Sequence, residues 1–177
     1  MDLLIPEIET ESSPELPAVV AAVAPIQRQI ARGDWGKYFV AYTDGSCRAP
    51  QGEEEGAGGF AAIIFSARGQ RWEAHGDLPA TTSNRAEVCA LISALLCAPE
   101  GTHLSVQSDS RYVVDHVRRW MQAGDNDDLW TEVRELAIGK QLDLHATWVA
   151  GHMGHQHNER ADLLASGANL RRRKRRG

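Results

Sequence analysis

Four carboxylates in this sequence each stand at the mouth of a different candidate element. Asp44 ends the apolar, β-branched and aromatic run Tyr38-Phe39-Val40-Ala41-Tyr42-Thr43, and Asp109 ends a second such run over residues 104–108. Glu87 falls in the first turn of a helix that opens at Thr82-Ser83-Asn84, and Asp162 lies beside the apolar face of the C-terminal helix. Asp44-Gly45 alone is as consistent with a plain turn as with a site. Two acids ending two strands, joined by two more on helices, point to a site. Converging carboxylates raise one another's pKa and cannot all stay ionised without compensation. Divalent cations supply it, and an all-oxygen donor set selects hard ions, Mg²⁺ with Mn²⁺ as substitute. Two such ions about 3.5–4 Å apart clamp the attacking and leaving oxygens of a phosphodiester displacement, so the residues read as a two-metal nuclease centre.

The periodicity predicts the elements that must position these acids. A central strand is expected near residues 37–43, a long polar, glycine-rich hairpin loop over 47–59 with Glu53-Glu54-Glu55 as its solvated tip, a second strand at 60–65 and an amphipathic third at 71–75, ended by Asp77-Leu78-Pro79. Val88, Leu91, Ile92 and Leu95 recur at helical spacing behind an N-cap, predicting a helix over residues 85–96. A strand at 104–108, helices at 110–121 and 128–138, a strand at 142–149 and a last helix follow. The order β-β-β-α-β-α-α-β-α implies an α/β fold, with a five-stranded mixed sheet of three antiparallel strands plus two parallel and helices on both faces. Ligands on such sheets collect at the carboxyl ends of adjacent strands, where Asp44 and Asp109 are expected.

Size and charge bound the rest. A chain of 177 residues that is 42% hydrophobic fits one domain with one core. Residues 1–34 hold Pro6, Pro14, Pro17 and Pro25 with six acids against two arginines, which predicts a poorly ordered leader with at most a short helix near 26–32. Residues 35–170 form the expected catalytic domain, and residues 171–177 a basic tail carrying six cations, Arg171 to Arg176. Such a tail fits an electrostatic arm for phosphates. No run approaches membrane-spanning length and no secretory signal opens the chain, so a cytoplasmic protein is expected. Cys47, Cys89 and Cys97 form no paired framework and are expected to be reduced.

Five motifs also carry a resemblance: Tyr42-Thr43-Asp44-Gly45-Ser46, Thr82-Ser83-Asn84-Arg85-Ala86-Glu87, Ser108-Asp109-Ser110-Arg111-Tyr112-Val113, Asp128-Leu129-Trp130, and the segment from Gly151-His152 through His155 and Asn158-Glu159-Arg160-Ala161-Asp162. In order and spacing they resemble type 1 ribonuclease H, over about residues 37–168. The resemblance implies a ribonuclease H-like fold with the first strand central, and Asp44, Glu87, Asp109 and Asp162 as metal-binding catalytic acids. It implies endonucleolytic hydrolysis of the RNA strand of an RNA–DNA hybrid, leaving 5′-phosphate and 3′-hydroxyl ends, by a monomer. His152 would relay protons from a mobile loop, for which imidazole is suited. Thr82, Ser83, Asn84, Arg85, Asn158 and either Gln107 or Ser110 would contact substrate, with Thr82 and Arg85 nearer the DNA-strand phosphates.

Alternatives stay open beside it. His152, His155 and His157 could form a zinc site, although no cysteine lies near; otherwise His155 is expected to bond to its loop backbone and His157 to be exposed. A catalytically silent nucleic-acid-binding module of the same fold would also keep the pattern, but the presence of all four acids and His152 argues for catalysis. Two departures stand out: Arg48-Ala49-Pro50-Gln51-Gly52 with the acidic triplet replaces a glycine-proline-rich turn bearing an asparagine. Residues 122–127 also replace the basic, tryptophan-bearing handle of many bacterial members. The basic tail is the candidate substitute for that handle.

Overall fold

The computed structural model describes residues 13–119, 124–151 and 153–175. The elements run α1 (Leu16–Ile30), β1 (Tyr38–Arg48), β2 (Gly56–Ser66), β3 (Arg71–Thr81), α2 (Ser83–Cys97), β4 (His103–Ser108), α3 (Arg111–Arg118), α4 (Asp127–Gly139), β5 (Asp143–Trp148) and α5 (Gln156–Arg175). The sheet order is β3-β2-β1-β4-β5, antiparallel across β3-β2-β1 and parallel across β1-β4-β5, so the first strand is central as expected.

β2 shows how the sheet acquires two covered faces. Phe60, Ala62 and Ile64 enter a core shared with α1–α4, while Ala61 and Ile63 point to the other side and meet Ala161, Leu164 and Ala165 of α5. Successive side chains on a strand alternate faces, so a strand covered on both must be apolar throughout. Gly59 allows this packing to close: a Cβ there would stand 2.3 Å from the Ala165 carbonyl oxygen.

Three expectations change. The hairpin loop predicted over 47–59 shrinks, because β1 continues to Arg48 and β2 begins at Gly56. β3 runs past Asp77-Leu78-Pro79 to Thr81, with a register shift opposite Pro79. A proline is tolerated there because β3 is an edge strand and the bulge absorbs its missing donor. Finally, residues 16–30 are not a poorly ordered leader but a packed helix; residues 1–12 lie outside the described residues.

The alanine-valine patch is the reason for α1. Val19, Val23 and Ile30 are buried against α2 and β3. Pro17 sits in the first turn, where its missing N–H has no intrahelical acceptor in any case. Pro25 removes one interior hydrogen bond, and tertiary packing outweighs that loss. At the helix exit the Trp35 indole donates to the Ile30 carbonyl at 2.9 Å and meets Trp72 edge-on at 5.2 Å. At its entry Glu15 is buried, 2% exposed, and grips Arg85 of α2 through two hydrogen bonds of 2.7 and 2.8 Å. Removing one member of a buried pair strands the other. Glu15→Ala should therefore cost about 2–3 kcal/mol in stability, read as a lower urea midpoint with an unchanged m-value.

The three cysteines are free, as expected. Burial pushes the Cys97 thiol up to about 12 and raises Cys89 as well. No helix among the described residues is long and apolar enough to cross a membrane.

Candidate active site

Asp44 lies inside β1 rather than at its end, because the strand continues as the antiparallel partner of β2. Its parallel neighbour stops first: the β1–β4 ladder ends at Thr43 opposite Ser108. Asp44 and Asp109 therefore sit where the parallel half of the sheet runs out, as the strand-end rule requires. Glu87 comes from the second turn of α2, not the first as the sequence suggests, and β1 passes the start of that helix at backbone contact. A Cβ on Gly45 would lie 2.3 Å from both the Ala86 carbonyl carbon and the Glu87 nitrogen.

Carboxylate oxygens of Asp44, Glu87 and Asp109 lie within 4.8 Å of one another. Asp162, from the second turn of α5, stands close enough for its negative charge to raise the pKa of Asp44. Ser166 donates to Asp162 at 3.4 Å, and the Asn158 amide donates to Asp109 at 3.4 Å.

This crowding has an electrostatic consequence. Burial, followed by the negative charges of Asp109 and Asp162, pushes the Asp44 carboxyl from 3.8 up to about 8. Glu87 is also raised, by burial first and then by Asp44 and Asp109, with the Gly45 N–H opposing. Glu87 Oε2 is buried with no hydrogen-bond partner, as is Asn158 Oδ1. Buried oxygen acceptors lacking donors fit a divalent cation.

A pH dependence follows. Asp44 has its pKa raised on folding, so its contribution is complete below about 4 and is lost as pH climbs through about 8. Asp128 runs the other way, held down to about 2 chiefly by Arg85, and its contribution is already complete by about pH 5. In chelator, stability should therefore fall between about pH 5 and 9, with urea midpoints as the measure, and saturating divalent ion should reverse the fall. A midpoint that rises over this range would contradict the assignment.

The expected substrate residues divide. Thr82, Ser83 and Asn84 line an open polar groove of about 670 Å³ with Ala49, Glu53, Glu54, Asp125 and Asn126. Thr82 Oγ1 also N-caps α2, accepting from the Arg85 N–H at 3.3 Å. Ser110 N-caps α3, and Asn158 is 1% exposed beneath Asp109. Gln107 donates to Ser105 at 3.1 Å.

Arg85 is committed elsewhere. Beyond Glu15 it donates to Asp128 at 2.7 and 2.9 Å and to Asn126 at 3.3 Å, so its guanidinium is held inside the fold rather than presented to a phosphate. Glu53 and Glu54, expected as a solvated tip, are exposed but form a wall of the groove. Trp148 escaped sequence reading: its indole donates to the Asp109 carbonyl at 3.1 Å, and Arg111 stacks over its ring at 4.2 Å. An exposed tryptophan at a strand end was the available signal.

His152 lies outside the described residues. The His155 side chain is exposed, and it is its main-chain carbonyl that serves α5, accepting from the Glu159 N–H at 2.9 Å. His157 is not exposed but half-buried, packed 5.0 Å from the Tyr42 ring and 4.6 Å from that of Phe65. Among the described residues no metal-binding group contains His155 or His157.

The sequence matches the family model described as RNase H over residues 36–169. It is 35% identical over 150 residues to the ribonuclease H of Zymomonas mobilis, covering 75% of this chain and 88% of that protein. In structure it is similar to RNase H1 of the archaeon Halobacterium salinarum, with a TM-score of 0.60 and 27% identity over 75% of this chain and 97% of the other. It is also similar to LC11-RNase H1 solved in complex with an RNA/DNA hybrid, with a TM-score of 0.61 and 21% identity over 73% and 95% of the two chains, a likeness of fold.

Proposed function

Because the chain belongs to the ribonuclease H family and is an endoribonuclease of RNA–DNA hybrids, we propose that it cuts the RNA strand by a two-metal displacement centred on Asp44, Glu87, Asp109 and Asp162. The observation that carries this is the convergence of three carboxylates within 4.8 Å of one another, one of them Glu87, whose Oε2 is buried without a hydrogen-bond partner. Mg²⁺, or Mn²⁺ in its place, would supply Lewis-acid stabilisation of the charge that develops on the attacking and leaving oxygens.

The chain's own residues do the rest. Asp44 and Glu87, buried and disposed to hold protons, would each give up a proton to hold a cation, and their rigid elements fix the donor positions. Asn158 orients Asp109 through its amide. His152 would carry a proton to or from the attacked phosphodiester, whose cleavage leaves a 5′-phosphate and a 3′-hydroxyl. Thr82, Ser83 and Asn84 in the groove and Ser110 beside Asp109 would meet the hybrid, where 2′-hydroxyls mark the RNA strand. Arg85 would position α2, and only indirectly the substrate. The enzyme would act as a cytoplasmic monomer.

The test is digestion of a hybrid labelled separately on each strand in Mg²⁺, beside single-stranded RNA and duplex RNA. Loss of the hybridised RNA alone, with 3′-hydroxyl ends, is expected. No cutting in either Mg²⁺ or Mn²⁺ with hybrid binding retained would make the chain a binding module.

The basic end would add electrostatic grip. α5 continues to Arg175, so residues 171–175 extend a helix rather than forming a separate tail; Arg176 lies outside the described residues. Deleting residues 171–177 should raise KM several-fold, reduce the slope of log KM against log salt and leave kcat nearly unchanged. An unaltered KM across salt concentrations would remove the phosphate-binding role.

A further inference from the structure

The parallel ladder between β4 and β5 brings together three residues that the hybrid-cleaving chemistry does not use. His103 and Asp143 are direct partners across the ladder, and His145 follows two residues on, on the same face. The alternation of exposure along β4 and β5 turns Leu104, Val106, Leu144 and Ala146 into the core. His103, Asp143 and His145 are left on the opposite face. α5 packs over β1, β2 and β3 on that side, and these three side chains remain 31%, 67% and 60% exposed.

We propose that His103, Asp143 and His145 form a second metal site, for a borderline transition ion such as Zn²⁺, at the end of the sheet remote from the catalytic carboxylates. Nδ1 of His103 lies 2.9 Å from one Asp143 oxygen, and Nε2 of His145 lies 2.9 Å from the other. One donor atom from each residue falls within a 4.8 Å circle. Tetrahedral Zn²⁺ with bonds of about 2.0–2.1 Å needs donor atoms roughly 3.3 Å apart, so modest side-chain rotations suffice. The rings already lie parallel-stacked, with centroids 5.0 Å apart and planes 24° from parallel.

The backbone is fixed on both sides of the cluster. The His103 N–H donates to the Lys37 carbonyl at 2.8 Å and the Asp143 N–H to the Thr102 carbonyl at 3.0 Å, so the donors project from anchored strand starts rather than from a loop. Two imidazoles with one carboxylate select Zn²⁺, Ni²⁺ or Cu²⁺ over Mg²⁺, the reverse of the all-oxygen centre. Exposure leaves the remaining coordination positions to water. The site starts roughly 20 Å along β4 from Asp109, by the rise of a strand, so the two centres are independent. β5 is an edge strand, and an ion bridging it to β4 would hold that edge in place.

The test titrates Zn²⁺ into the full-length protein by calorimetry, in excess Mg²⁺ to occupy the carboxylate centre. Wild type, Asp44→Asn and His155→Ala should each bind one Zn²⁺ with equal affinity. His103→Ala and His145→Ala should bind at least about tenfold more weakly. Zn²⁺ should raise Tm in wild type and not in His145→Ala, which should cleave hybrid at the normal rate. Cu²⁺ as a probe should give an electron paramagnetic resonance spectrum with hyperfine structure from two nitrogens, a signature a carboxylate site cannot produce. Equal Zn²⁺ affinity in wild type and both histidine variants, loss of binding in Asp44→Asn or His155→Ala instead, or no binding at all would each overturn the proposal. In the last case the triad is a hydrogen-bonded surface cluster only.

Discussion

Asp44→Asn should lower kcat on RNA–DNA hybrid by at least about 1000-fold, roughly 4 kcal/mol of transition-state stabilisation, with hybrid affinity nearly unchanged. The substitution keeps the volume of the side chain and removes one charged donor from the centre of the cluster, where Asp44 meets Asp162, Glu87 and Asp109 at once. The same change should act oppositely on stability. In the wild type, without cations, folding confines the Asp44 carboxylate, 5% exposed, among like charges. An amide has no charge to confine. In chelator above about pH 8 the variant should be the more stable protein, by roughly 1–3 kcal/mol, and the difference should vanish near pH 4, where both proteins are neutral at this position. Added divalent ion should favour wild type and close the gap. Cleavage at the wild-type rate would remove Asp44 from the mechanism. Loss of activity with equal pH dependence in the two proteins would mean that the carboxylates are less crowded than their geometry requires.

Gly45→Ala should be nearly as damaging, although the new methyl group carries no chemistry. It would sit 2.3 Å from backbone atoms of Ala86 and Glu87, and backbone cannot rotate aside as a side chain can. β1 and the first turn of α2 must separate, which moves Glu87 away from Asp44 and lengthens the Gly45 N–H contact to Glu87. A misplacement of about 1 Å in a catalytic group costs on the order of 100-fold in rate, and overpacking of this kind costs about 3 kcal/mol in stability. Both kcat and the urea midpoint should fall. Gly139→Ala, with open space around its new Cβ, serves as the control and should be near neutral. A Gly45→Ala enzyme with normal kcat would show that α2 is free to shift without disturbing the cluster.

Much of the centre was legible in the chain because its parts are local. Asp44 and Asp109 each follow a strand-like run, Glu87 and Asp162 lie within the first two turns of their helices, and strand and helix periods are properties of neighbouring residues. The prolines of residues 13–34 argued against a helix, and locally they still do. α1 exists because Val19, Val23 and Ile30 find α2 and β3, and because Glu15 finds Arg85 seventy positions away. The resemblance places Arg85 near a phosphate, and its partners Glu15 and Asp128 are too distant in sequence to signal that it is bound internally. His157 looked exposed since its aromatic neighbours Tyr42 and Phe65 belong to β1 and β2.

The sequence by itself determined the α/β order of elements and which element carries each of Asp44, Glu87, Asp109 and Asp162, since hydrophobic period, capping residues and turn chemistry are written into adjacent positions. The tertiary structure alone decided that three carboxylates approach within 4.8 Å, that Asp44 and Glu87 are disposed to hold protons, that Arg85 is bound internally, and that His103 faces Asp143 and His145. These depend on strand register and helix docking, which are fixed by the burial of the whole core, and a one-residue slip in strand register would turn the same side chains to the opposite face.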